Sequence, residues 1–149
     1  MVAPDADLLA SLRRLNALRA SRSRTRERER LEAEMETRFG VSCRLVVYGT
    51  LAPGESNADQ LAPLEGIWRS ATVRGARHPR GWGAVTFYPA FRWDEAGAAI
   101  PVQLFESGAL PGHWRRLDRF EGPTYGRVLV PVYLDAGWTV ANVYEARET

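Results

Sequence analysis

The first forty residues contain two stretches with apolar side chains at helical spacing, separated by a polar stretch. Leucines at positions 8, 12 and 15 fall on one face of a helix. Residues 21–30 contain no apolar side chain, and Gly40 is a natural helix stop. Between this polar stretch and Gly40, apolar residues recur at a four-residue spacing, at Leu31, Met35 and Phe39. The pattern predicts two helices, or one long helix with a soft middle, in an N-terminal helical extension over residues 1–40.

From Arg44 onward the apolar residues form short runs, which glycine, proline and aspartate separate as they do between β-strands. Pro101 lies inside one of these runs, which favours an edge strand there. Short strands with regular turns favour a barrel or a highly bent sheet, in a domain over residues 41–149. A short helix is predicted over residues 112–120. The predicted strands cover residues 45–48, 66–77, 84–88, 100–106, 128–134 and 138–146.

The composition limits which catalytic groups and metal ligands the chain can supply. All twenty basic residues are arginine, so no lysine can form a Schiff base or act as a base. With two histidines and one cysteine, a multi-histidine or Cys/His metal site is close to excluded, and no internal disulfide can form. A nucleophilic pair of Cys43 with a histidine stays open, whereas no serine lies in a Gly-x-Ser-x-Gly context. A lone carboxylate is the favoured catalytic group, with no metal or cofactor.

The distribution of charge and apolar residues bears on location and partners. No apolar run approaches the length that spans a bilayer, and the N-terminus lacks the features of a secretory signal, so we expect a cytoplasmic protein without a membrane partner. The arginines of residues 22–30 suggest nucleic-acid binding, but Glu27 and Glu29 interrupt them, and a solvated helix face is favoured. The apolar leucine face must be buried against another surface, which is either the barrel or a second copy of the chain in a homodimer through residues 7–39.

One carboxylate stands out by its place on the predicted helix over residues 112–120. Trp114, Leu117 and Glu121 lie at i, i+3 and i+7, so Glu121 shares the apolar face. It also lies at the helix C-terminus, where the backbone dipole is negative. Burial and the dipole both disfavour the anion and raise its pKa, which suits a group that exchanges protons near neutral pH. On spacing alone, a surface charge beside Arg119 or Arg127 is an equally good interpretation.

The segment Tyr48-Gly49-Thr50-Leu51 follows the apolar run 45–47 directly. A strand that enters a turn in this way exposes successive backbone N–H groups, and Gly49 allows a ligand to approach because it has no Cβ. Such a turn forms a concavity that favours anions. A plain strand-to-turn corner, which is far commoner among proteins, explains the same pattern.

Taken together, these segments resemble the γ-glutamylcyclotransferase-like family, most closely its AIG2-like γ-glutamylamine cyclotransferase branch, over about residues 44–146. That family pairs a Tyr-Gly-(Thr/Ser)-Leu loop with a glutamate just after a Leu-Asp-x-Phe/Leu helix end, followed by Tyr-x-Arg and a strand. The matching residues are Tyr48 to Leu51, Leu117 to Glu121, Tyr125 and Arg127. The resemblance implies an α+β fold, a small mixed β-barrel of about six short strands with flanking helices.

The resemblance also implies an activity and a site. The activity is conversion of a γ-glutamyl amide to 5-oxoproline and a free amine, without cofactor or metal. Glu121 is then the catalytic general acid and base, the backbone of Tyr48, Gly49, Thr50 and Leu51 binds the γ-glutamyl group, and Tyr125 contacts the substrate or Glu121. A non-catalytic module that binds a γ-glutamyl-like ligand, and a hydrolase of a related amide, stay open. Val102 and Gln103 stand where the family has glycine and an acid, so the leaving amine is open too.

Overall fold

The computed structural model describes residues 3–49, 51–78 and 90–147. Its N-terminal part forms two helices, α1 (Ala6–Ala20) and α2 (Arg26–Phe39), so the single long helix is excluded. The side chain of Asp5 caps α1 by accepting a hydrogen bond of 2.8 Å from the Leu8 amide. Gly40 ends α2 in the left-handed conformation, at φ 61° and ψ 40°, as its position predicted.

The described residues of the second part form six strands and a third helix. Five strands close into a barrel in the order β2–β4–β1–β6–β5, and β5 returns to β2 at the pair Thr72 and Tyr133. The remaining strand, β3, pairs with β2 outside this ring. Because β1 and β6 run parallel while the other pairs are antiparallel, the barrel is mixed and the predicted fold class is confirmed. The elements are β1 (Arg44–Val47), β2 (Ile67–His78), β3 (Ala90–Trp93), β4 (Ala98–Glu106), α3 (Trp114–Glu121), β5 (Tyr125–Leu134) and β6 (Gly137–Ala146).

Two details differ from the sequence-based expectations, and one expectation falls outside the described residues. Strand β3 was not predicted, and the predicted strand 84–88 lies outside the described residues. The edge-strand prediction for Pro101 was wrong, because β4 lies between β2 and β1. The β1 ladder covers only residues 103–106 of β4, however, so at Pro101 the strand has a partner on the β2 side alone and tolerates the missing N–H.

Strand residues alternate between the barrel interior and two outer layers. On β5, Val128, Val130 and Val132 belong to the buried cluster that fills the barrel, whereas Leu129 packs among the leucines of α1. A third cluster covers the opposite outer surface, where α3 packs against β1, β4 and β6. The helical layers therefore bury the outer faces of β1, β5 and β6, whereas much of the outer face of β2 is exposed.

The leucine face of α1 is covered within the chain. Leu12 and Leu15 are fully buried beside Leu129 and Val140 of the barrel. The Asn16 side chain adds a specific contact, since it accepts from the Leu129 amide at 2.8 Å and donates to the Leu129 carbonyl at 2.9 Å. A domain boundary at residue 40 and a homodimer through residues 7–39 stay predictions, the latter without the exposed leucines that suggested it. Within the described ranges, no helix has both the length and the apolarity needed to cross a membrane.

Candidate functional site

A cavity of about 350 Å³ opens where β1 runs into the 48–57 segment, beside the C-terminal end of α3. Strands β5 and β6 complete its wall. It brings together the two segments that the sequence singled out, although they lie far apart along the chain. The lining residues are Val46, Val47, Tyr48, Gly49, Leu51, Ser56, Asn57, Phe120, Glu121, Thr124, Tyr125 and Tyr144.

Glu121 is the last residue of α3, one position further along the helix than the sequence suggested. Trp114 and Leu117 are buried on the same helix face, which turns Glu121 into the cavity wall. Burial raises the pKa of Glu121 to about 7, and the negative charge of Asp118 adds to the shift. Within the described residues its carboxylate has no hydrogen-bond or ion-pair partner, so it is available to a ligand in the cavity.

The helix ends at Gly122, which has φ 81° and ψ −177°. The positive φ favours glycine, and the ψ value makes the residue extended instead of left-handed helical. Its amide N–H still donates to the Asp118 carbonyl at 3.1 Å, which closes the final turn. The chain therefore leaves the helix directly after Glu121.

Asp118 lies one turn before Glu121 and was missed as a site residue by the sequence argument. It accepts a hydrogen bond of 2.6 Å from the Tyr144 hydroxyl. It also forms a two-pronged ion pair with Arg127, at 2.9 Å from Nε and 3.2 Å from Nη2. Arg127 thus forms a structural ion pair with Asp118, and not with Glu121, beside which the surface-charge interpretation placed it.

Tyr48 lies in the cavity wall, but its hydroxyl is committed to the protein. It donates a hydrogen bond of 2.6 Å to the Tyr144 backbone carbonyl, and burial raises the pKa of Tyr48. The Tyr48 carbonyl in turn accepts from Arg77 at 2.9 Å. These two bonds fix the end of β1 against β6 and β2, so Tyr48 shapes the wall and stays protonated at physiological pH.

The other predicted binding residues are distributed as follows. Gly49, Leu51 and Tyr125 line the cavity, whereas Thr50 lies outside the described residues. No hydrogen bond of the Gly49 or Leu51 amide N–H is found among residues 3–49, 51–78 and 90–147. These two N–H groups at the mouth of the turn are available as donors.

Several lining residues were not expected from the sequence. Tyr144 shares the outer face of β6 with Val140 and Asn142, so its alternation was a usable signal. Phe120, which is 40% exposed, belongs to the matched segment from Leu117 to Glu121 but was not predicted to line a cavity, and Thr124 carried no signal beyond its neighbourhood to Glu121. Val102 and Gln103 do not line this cavity. They border a neighbouring one of about 270 Å³, which shares Val47, Tyr48 and Gly49 with it.

The geometry defines the chemistry that the cavity offers to a ligand. One carboxyl with a pKa near neutrality lines the same cavity as the turn residues Gly49 and Leu51, and hydroxyl side chains are also part of the lining. In the part of the chain that the structure describes, no three His, Cys, Asp or Glu side chains are grouped so that they could hold a metal ion.

Comparison with known proteins gives matches by sequence and by structure. The family model described as "Gamma-glutamyl cyclotransferase, AIG2-like" matches residues 45–149. YkqA from Bacillus subtilis is 28% identical with a TM-score of 0.56, and the match covers 72% of this chain but only 36% of YkqA. No curated protein matches the chain significantly.

Two further solved structures share the fold at lower identity. An AIG2-like protein from Mus musculus is 20% identical with a TM-score of 0.51, covering 70% of this chain and 76% of the mouse chain. A protein from Arabidopsis thaliana, known from its solution structure, is 22% identical with a TM-score of 0.52, covering 69% and 67%. In each case the matched share of this chain is close to the span of the barrel and α3.

Proposed function

Because the chain belongs to the AIG2-like γ-glutamylcyclotransferase family, we propose that it converts a γ-glutamyl amide to 5-oxoproline and a free amine, with Glu121 as general acid and base. Cyclotransferase activity is the general activity of that family. The observation that carries the proposal is the Glu121 carboxyl, which has a pKa of about 7 and no partner among the described residues, in a cavity bordered by the turn at Tyr48 and Gly49.

Cyclisation uses a nucleophile that the substrate already carries, its α-amine. The amine attacks the side-chain carbonyl carbon, the bond from that carbon to the departing nitrogen breaks, and a five-membered lactam forms. Overall, two protons leave the α-ammonium group and the departing amine gains two. Because the reaction is intramolecular, a site that holds the folded substrate conformer contributes by proximity and orientation. Moving protons and stabilising the oxyanion are the remaining tasks.

Glu121 suits the proton transfers. With a pKa raised to about 7, its carboxyl is partly ionised at neutral pH. It accepts a proton from the ammonium first and returns one to the departing nitrogen afterwards, a cycle that is efficient when the pKa lies near the working pH. The absence of a protein partner for the carboxylate among the described residues leaves both its oxygens accessible to the substrate.

The turn after β1 suits the oxyanion. The amide N–H groups of Gly49 and Leu51 have no partner in the described parts of the chain, and preorganised N–H donors of this kind stabilise charge that develops on a carbonyl oxygen. Thr50 stands between them, and its part in substrate binding stays a prediction from the resemblance.

The wall of the cavity bears on the substrate class. Among its described residues there is no arginine, and its polar groups are hydroxyls, amides and the Glu121 carboxyl. A substrate carboxylate would therefore be bound by neutral donors, for which Ser56, Thr124, Tyr125 and the backbone of the turn are suitable. A single small γ-glutamyl group fits this wall better than a ligand with several negative charges.

The test is release of 5-oxoproline from a panel of γ-glutamylamines and γ-glutamyl dipeptides. We expect release by the wild type and a loss of at least about 100-fold in kcat for Glu121→Gln, with substrate binding kept, because the variant cannot exchange a proton. Glu65→Gln, an exposed carboxylate outside the cavity, is the matched control and keeps its activity.

Each other outcome has a distinct meaning. Equal release by Glu121→Gln would contradict the role of Glu121. Binding without turnover of any panel member would favour the non-catalytic module, and release of glutamate in place of 5-oxoproline would favour the hydrolase.

A further inference from the structure

A chain of hydrogen bonds leads from the N-terminal helix α1 to the helix that carries Glu121. It starts at Arg19, whose side chain is only 11% exposed. Arg19 binds Glu32 of α2 with two bonds, at 3.1 Å from Nε and 2.6 Å from Nη2. Its remaining nitrogen, Nη1, donates to the Asn142 Oδ1 atom of β6 at 2.8 Å and to the Arg127 backbone carbonyl of β5 at 3.4 Å.

Asn142 joins two guanidinium groups. It is 1% exposed, and its Oδ1 atom accepts both from Arg19 and from Arg127 Nη1, the latter at 3.2 Å. Its amide nitrogen donates to the Val41 carbonyl at 2.8 Å, which fixes the orientation of the side chain. The two like charges are tolerated because a carboxylate flanks each of them, Glu32 beside Arg19 and Asp118 beside Arg127.

The path ends next to the candidate catalytic carboxyl. The fork of Arg127 holds Asp118, its guanidinium lies over the Trp114 ring at 4.5 Å, and Asp118 also accepts from Tyr144. Arg127 therefore fixes α3 at two points, and Asp118 is the charge that bears on Glu121.

We infer that Arg19 is a positioning residue for the site, acting through Asn142 and Arg127 on Asp118, and hence on Glu121. Its meaning for catalysis rests on the proposed function, whereas the contact path does not. Arg19 lies in α1, outside the residues 45–149 that match the family. The N-terminal helices are on this view a working part of the site, in addition to being a cover for the barrel.

The direction of the effect follows from the groups around Glu121. Three tyrosines line the same cavity, Tyr48 just after β1, Tyr125 at the start of β5 and Tyr144 on β6, and a phenol is ordinarily neutral near pH 7. Asp118 on its own helix is the charge that raises its pKa, and Arg127 compensates Asp118. Loss of Arg19 removes one positive charge and one support of Arg127, so Asp118 is less compensated. Glu121 should then hold its proton to higher pH.

The experiment compares two arginines that bridge the same helices. Arg14 also forms a two-pronged pair across them, with Glu27 at 3.0 Å and 2.7 Å, but it is exposed and has no described contact with the barrel. The titration of the Glu121 carboxyl carbon is followed by NMR in the substrate-free protein, with Glu121→Gln used to assign the signal. We expect the midpoint to rise by about half a pH unit in Arg19→Gln and to stay unchanged in Arg14→Gln.

An unchanged midpoint in Arg19→Gln, or an equal shift in both variants, would overturn the inference. If Arg19→Gln does not fold, Arg19→Lys decides the matter. It keeps the charge but cannot reproduce the guanidinium fork, so we expect a smaller rise of the Glu121 midpoint. An unchanged midpoint in this variant would contradict the inference. Because no substrate is needed, the titration gives its answer even if the substrate panel shows no turnover. Where turnover is present, the acidic limb of kcat/KM should move with the midpoint.

Discussion

The acidity of Glu121 depends on two features that can be altered separately, its burial and its neighbour Asp118. A general base must be ionised, so activity is lost as the pH falls through the pKa of Glu121. Asp118→Asn removes the nearby negative charge and should move the acidic limb of kcat/KM to lower pH, by about half to one unit. Arg127→Gln removes the compensation and should move it the opposite way.

The opposite signs make this prediction specific, because both variants also break the same ion pair. The measurement is the pH profile of kcat/KM for the preferred panel substrate. A shift of both variants in one direction would show that loss of structure, and not the charge at Asp118, controls Glu121.

The same carboxyl should make the protein less stable at alkaline pH. The pKa of Glu121 is raised from 4.5 to about 7, so the native state binds a proton that the unfolded state releases between these values. Its contribution to stability is present below the unfolded pKa and is lost as the pH rises through the native one. Glu121→Gln should therefore gain about 1–2 kcal/mol over the wild type at pH 8 relative to pH 5. Urea unfolding at both values measures this, and a pH-independent difference would contradict it.

At the scale of elements, one polar side chain adds two hydrogen bonds to the apolar packing of α1 on β5. Asn16 satisfies both the N–H and the carbonyl of Leu129. Asn16→Ala leaves both backbone groups without this partner in a partly buried place, and should cost about 2 kcal/mol in the free energy of unfolding. Ser11→Ala, on the same helix, is the control and should stay within about 0.5 kcal/mol of the wild type. Equal losses in the two variants would contradict a specific contribution of the Asn16 contact, because alanine has the higher helix propensity at both positions.

The elements themselves could largely be predicted from the sequence, because their patterns are local. The leucine spacing predicted α1, apolar runs between turn residues predicted β2 and β6, and Gly40 predicted the end of α2. The position of Glu121 on the buried face of α3 could be predicted, because Trp114 and Leu117, which define that face, lie only a few residues away in the sequence. The bond from Arg19 to Asn142 joins positions 123 residues apart, and no local pattern carries that information. Asp118 was missed as a site residue for the same reason, because its partners lie on strands that are distant in sequence and not on its own helix.

At the scale of the whole molecule, the N-terminal helices form one body with the barrel. Leu12, Leu15 and Met35 are fully buried with Leu129 and Val140. Because the leucine face is buried within the chain, we expect the 149-residue chain to sediment as a monomer. Deletion of residues 1–40 exposes the apolar barrel face that these leucines cover, and should lead to association or loss of solubility. Analytical ultracentrifugation distinguishes these states. A dimer of the 149-residue chain would contradict this expectation. If that dimer persists when exposed charges of α2 are reversed, its interface does not involve α2.

The parallel pairing of β1 with β6 has a consequence for synthesis of the protein. Strand β1 ends in the turn of the candidate site, but the neighbour that completes its ladder is the final strand, and Tyr144 of that strand supplies the cavity wall behind Glu121. During translation the ribosome must therefore deliver nearly the whole domain before the cavity exists. A nascent chain that stops before residue 137 contains Glu121 and the turn, yet it has no β6 to bring them together. Such fragments should be inert towards substrate, and activity should appear late and in a single step.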